Sequence, residues 1–134
     1  MITHDIYIRE QLHNVLQLNY QGYPEVLILD ELGCCQGAAR IDVAVITNKL
    51  HGFEIKSEQD TLERLEFQEI AYNNVFDTVT LVTTQNHLDK AYSMLNEWWG
   101  LWEAKKVDEH IEFIHHVQPK QNCHQDALHV ASLL

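Results

Sequence analysis

Asp42, Glu54 and Lys56 are the side chains of this sequence whose types and spacing could do chemistry together. They interrupt two runs, residues 40–46 (RIDVAVI) and 50–56 (LHGFEIK), whose other members are mostly apolar and suit a buried sheet. An ionised group in such surroundings is costly unless opposite charge or hydrogen bonds compensate it. Two carboxylates beside one ammonium are best compensated by a divalent metal ion, and hard oxygen donors favour Mg²⁺ or Mn²⁺. An ordinary salt-bridged hairpin is the alternative for the same three residues.

Whether the two acids can meet is a matter of register. Side chains alternate along a strand, so Glu54 and Lys56 share one face while Phe53 and Ile55 take the other. On the preceding run Asp42 groups with Ala44, against Ile41, Val43 and Val45. A hairpin closed by Thr47, Asn48 and Lys49 sets residue 46 opposite 50, and counting outward sets 42 opposite 54. A two-residue loop would pair Asp42 with Ile55 and divide the cluster, so the turn must be odd in length.

Asp42 on one strand and Glu54-Ile55-Lys56 on the next, followed by a helix carrying Gln68-Glu-Ile-Ala-Tyr72, resembles the PD-(D/E)XK nuclease superfamily with the Gln-x-x-x-Tyr motif of its RecB-type members. Ile41 stands where the motif's proline would be. The resemblance covers residues 5–95 and implies a restriction-endonuclease-like α/β fold, a three-layer sandwich with a central mixed sheet flanked by helices. It also implies a metal-dependent nuclease cutting phosphodiesters, of DNA in preference to RNA, in repair or in defence against mobile elements. Asp42, Glu54 and the backbone carbonyl of Ile55 would bind Mg²⁺ or Mn²⁺, with Glu31 or Glu10 as an extra acid. The ion would polarise the phosphate and acidify a bound water. Lys56 would orient that water and offset developing charge. Gln68 would hold the water or phosphate and Tyr72 the backbone. The alternative reading of that helix is plain amphipathicity, with Tyr72 in the core and Gln68 solvated.

The elements that would position these residues follow from periodicity. Residues 4–20 read as a helix with Ile8, Leu12, Val15, Leu16 and Ile6 on one face, stopped by Gly22 and Pro24. Residues 25–31 read as an apolar strand and residues 33–39 as a small-residue loop. After the hairpin, Thr61–Phe76 reads as a helix capped by Asp60 or Thr61. A β-branched strand at 77–84 and a helix at 87–97 come next. One or two strands follow from Trp98 to Val117, and a short helix over 124–134. The order suggests one domain over residues 1–134, with a core at about 5–95 and an extension at about 98–134.

Composition bounds the partners. Nine Lys and Arg against twenty Asp and Glu leave a formal charge of −11, which opposes nonspecific nucleic-acid binding. Arg40, Lys49, Lys56 and Arg64 are expected near the site and could offset that charge locally. The start at Met1 lacks the pattern of a signal peptide and no run reaches membrane length, so a cytoplasmic protein is expected. Three cysteines suggest no disulfide framework. His110, His115, His116, Cys123, His124 and His129 match no compact zinc spacing. The three tryptophans suit a core better than base stacking. A homodimer or a partner protein is open, as is a second function class: a nuclease-like module, catalytically weak or inactive, that binds proteins or regulates.

Overall fold

The computed structural model describes residues 4–133; Met1, on which the signal-peptide expectation partly rests, and Leu134 of the final helix lie outside the described residues. A six-stranded mixed sheet runs in the order β1 (Leu27–Cys34), β2 (Ala39–Ile46), β3 (Leu50–Lys56), β4 (Thr78–Thr83), β5 (Gly100–Val107) and β6 (His110–Val117). Helix α1 (Asp5–Asn19) covers one face with Ile8, Leu12 and Leu16, which pack on Val43, Val45, Phe53 and Ile55. Helices α2 (Leu65–Asn73) and α3 (Leu88–Met94) cover the other, where Leu65, Tyr72 and Ala91 share a core with Leu81 and Trp99. A short α4 (Ala127–Ala131) closes the described chain.

Connection length explains the mixture of directions. The tight turns after β1, β2 and β5 give antiparallel pairs. The helical crossovers through α2 and α3 make β3, β4 and β5 parallel, because parallel neighbours need a long return. Central β4 is β-branched and almost wholly buried, as a strand covered on both faces must be. The segment after Trp98 supplies two full strands, with β5 lying against β4.

The hairpin has the register that its three-residue turn dictates: Ile46 opposes Leu50, and Val43 opposes Phe53. Pairing stops there, so Asp42 and Glu54 stand one step beyond, where β2 and β3 part. The expected grouping of Ile41 with Val43 and Val45 is not found. Ile41 packs in the α2-side core and the two valines in the α1-side core. The β1–β2 ladder skips the Glu31/Asp42 step, and Glu31 adopts a φ of 56°. That irregularity reverses the alternation at Asp42.

Two further boundaries differ. Ile6 is exposed on α1, because 100° per residue carries it off the stripe set by Ile8, Leu12 and Leu16. Helix α2 begins at Leu65, since Asp60 is engaged elsewhere: its Oδ2 accepts from Ser57 N at 2.8 Å and Ser57 Oγ at 3.0 Å. At the start of β5 no side chain fits. A Cβ on Gly100 would lie 2.8 Å from Pro119 Cδ and 2.9 Å from Thr80 Oγ1. Gly100→Ala is expected to cost about 1–3 kcal/mol through overpacking, read as a lower urea midpoint with an unchanged slope.

Candidate functional site

Glu54, Lys56, Gln68 and Tyr72 converge on the α2 side of the sheet where β2 and β3 diverge, and Asp42 stands at that gap, reached by Arg9 from α1. Glu54 is only 3 % exposed. Its Oε1 accepts from Tyr72 Oη at 3.0 Å and its Oε2 from Gln68 Nε2 at 3.1 Å, with Lys56 Nζ 3.6 Å away. Tyr72 Oη also lies 2.8 Å from the carbonyl of Arg40, tying α2 to β2. Spacing by four residues puts Gln68 and Tyr72 on one helical face. Neither is solvated, so the plain amphipathic reading of Gln68 does not hold.

Asp42 is held from both sides. Its Oδ2 accepts from the amide of Ile55 at 2.7 Å, a side-chain substitute for the ladder bond given up as the strands part. Its Oδ1 accepts from Arg9 Nη2 on α1 at 3.1 Å. The same guanidinium lies 3.3 Å from Glu31 and 3.6 Å from Asp5. Ile55 therefore brings an amide donor to the cluster. Glu31 faces outward, bridged by Arg9 and Arg40, and Glu10 is exposed on α1.

Arg9 is the member that sequence reasoning missed. It follows Ile8 on the edge of the α1 stripe and sits four residues after Asp5, the spacing of a helical ion pair. Those signals were present, but not its target 33 residues away. The expected basic cluster is correspondingly different. Lys49 lies in the turn at the other end of β3, bonded to Gln121 at 2.8 Å, and Arg64 stacks over Phe67.

Electrostatics fix the proton. Burial raises the carboxyl of Asp42 above its ordinary range, opposed by the Ile55 amide and by Arg9. Burial raises Glu54 further, to about 8, and the charge of Asp42 adds to the rise while Lys56 and the Tyr72 hydroxyl oppose it. Asp42 thus ionises first, and its charge helps keep the proton on Glu54. Tyr72 is pushed up by burial and by Glu54, so it stays a phenol donor. Cys34, pushed up to about 12 by burial and by Cys35, acts as an apolar group.

The two acids of this cluster are engaged by groups of the chain itself. Each oxygen of Asp42 and Glu54 lies within hydrogen-bond distance of such a group, and the single Tyr72 hydroxyl proton is shared between Glu54 and the Arg40 carbonyl. Arg9 and Lys56 already supply positive charge. Among the described residues no group of three or more His, Cys, Asp or Glu is arranged to hold a metal.

The family model described as "Bacteriophage P4 protein cII" matches residues 5–134. The curated "Protein cII" of Enterobacteria phage P4 is 26 % identical over 89 residues, which is 66 % of this chain. The matched part spans only 34 % of that relative's length. No solved structure matches.

The family match overturns the PD-(D/E)XK recognition and, with it, the expected nuclease, its phosphodiesterase activity and its role in repair or defence. The physical reason the motif misled is Arg9. Asp-x(n)-Glu-x-Lys with Gln-x-x-x-Tyr describes spacing along a hairpin and a helix. It says nothing of a guanidinium arriving from α1 to balance the acids. Matched from α1 through α4, the chain belongs to the bacteriophage P4 protein cII family.

Proposed function

We propose that this chain is a non-catalytic binding module with a regulatory role, acting through protein contacts. In it Asp42, Glu54, Lys56, Gln68 and Tyr72 form a polar clamp joining α1, the hairpin and α2. The observation that carries this reading is the set of contacts made to both acids from within the chain, by Arg9 and the Ile55 amide on Asp42 and by Tyr72, Gln68 and Lys56 around Glu54. A buried network of this kind rigidifies and specifies a core. The formal charge of −11 favours a protein partner over DNA or RNA, since phosphate neutralisation supplies most nonspecific nucleic-acid affinity.

The same proposal takes residues 1–134 as one domain with restriction-endonuclease-like layering, used as a scaffold. The helices on both faces of a mixed sheet support it. No helix among the described residues is long and apolar enough to cross a membrane. The free thiols of Cys34, Cys35 and Cys123 suit a reducing cytoplasm.

Mg²⁺ or Mn²⁺ would enter only by displacing Lys56 or Arg9. Calorimetric titration is therefore expected to show no Mn²⁺ uptake by the parent below about 1 mM. Lys56→Ala, which vacates the ammonium, should gain weak uptake. Duplex DNA should give no gel shift at about 100 mM salt. Micromolar Mn²⁺ binding by the parent that disappears in Asp42→Ala would overturn the clamp.

A further inference from the structure

We propose that β6 is a self-association edge, along which two copies of this chain pair antiparallel about a two-fold axis at Ile114. Strand β6 is eight residues long and ends the sheet, with no strand on its outer side among the described residues. Such an edge is a template for another strand unless it is blocked.

The opposite edge is blocked. On β1 the backbone is interrupted at Glu31, whose φ is 56°, and charged groups crowd it: Asp30 is held by His13, and Glu31 by Arg9 and Arg40. Strand β6 has no proline, no lysine and no positive φ. Its one irregularity, a shift in pairing with β5 between Leu101 and Trp102, lies near its C-terminal end.

The two-residue turn at Asp108 and Glu109 makes Val107 and His110 a hydrogen-bonded pair, so the backbone groups of Ile111, Phe113 and His115 point outward. Antiparallel pairing of two such edges must match odd with odd positions. Two central registers do so, and side chains separate them. Centring on Phe113 sets Ile114 against the partner's Glu112 and His110 against the partner's His116. Centring on Ile114 sets Ile114 against itself, Glu112 against the partner's His116 and Phe113 against the partner's His115.

The second register is complementary at every step. Ile114, an exposed apolar side chain at 38 %, is covered. His116 uses Nε2 on Glu103 at 2.9 Å, which leaves Nδ1 to meet the partner's Glu112. Three histidines and one glutamate also make β6 a less acidic strip than the chain as a whole. A second copy is therefore the occupant that this edge suits.

Sedimentation velocity on the full chain tests it. The parent should show a concentration-dependent dimer at tens of micromolar, roughly the strength expected of one edge pairing. Ile114→Lys and Ile114→Glu should each weaken it about tenfold, because like charges meet on the axis. An equimolar mixture of the two should recover association as a heterodimer. Glu112→Lys, at an exposed side chain 3.8 Å from His110, should also weaken the parent dimer, and circular dichroism melts check that each variant folds. A parent that stays monomeric at about 200 µM, or a dimer unaffected by Glu112→Lys and Ile114→Lys, overturns the proposal.

Discussion

At pH 9, Glu54→Gln should resist urea better than the parent by about 2–4 kcal/mol, while at pH 5 the two should agree within about 1 kcal/mol. The folded carboxyl titrates at about 8 against an ordinary 4.5, chiefly because it is buried and secondarily because Asp42 is ionised beside it. Between those values the folded chain holds a proton that the unfolded chain has released, so parent stability falls as pH rises from about 4.5 to about 8. Below that window both states are protonated and the carboxyl costs nothing extra. Above it both are ionised and the folded state carries the full burden of a buried charge.

The gap, at about 1.4 kcal/mol per pH unit, sets a ceiling of about 5 kcal/mol, and relaxation around the charge lowers the realised value. Glutamine keeps the shape without the charge. Asp42 remains to face Lys56. Equal pH dependence in parent and variant would show that Glu54 is not the group that titrates.

Trp99→Ala is expected to cost about 3–5 kcal/mol, the usual price of emptying a large aromatic site. Trp99 is 1 % exposed, stacks on Tyr72 with ring centres 6.2 Å apart, and donates from Nε1 to Asn73 Oδ1 at 3.2 Å. Its removal leaves a cavity beneath the ring whose hydroxyl holds Glu54, so the clamp loosens with the core. Scanning calorimetry should find the midpoint lowered by roughly 10–20 °C. Trp98→Ala, at a half-buried neighbour, should lose under about 2 kcal/mol. Equal losses would mean that Trp99 is not the core residue. Its burial also removes Trp99 as a platform for stacking bases.

Local chemistry was legible where neighbours in sequence are neighbours in space. The three-residue turn set the β2–β3 register, and the four-residue spacing put Gln68 and Tyr72 on one face of α2. The interrupted ladder at Asp42 was not legible, because it depends on the conformation of Glu31 in a different strand. Nor was the start of α2, where Asp60 or Thr61 was expected as the cap and Asp60 instead accepts from Ser57. The family was misjudged for a related reason: short motifs record spacing, and the same spacing can serve a site or a clamp.

By itself the sequence determined which groups would have to meet: two acids and an amine on adjacent strands, with an amide and a phenol on the following helix. Periodicity of two residues groups Glu54 with Lys56 and periodicity of 3.6 groups Gln68 with Tyr72, while the alternation that would have placed Asp42 breaks beside Glu31. Only the tertiary structure decided what their meeting amounts to. The packing of α1 brings Arg9 onto Asp42 across 33 residues, and the cover of α2 leaves Glu54 dry enough to keep its proton. Charge balance and desolvation are sums over everything nearby, and no local pattern contains them.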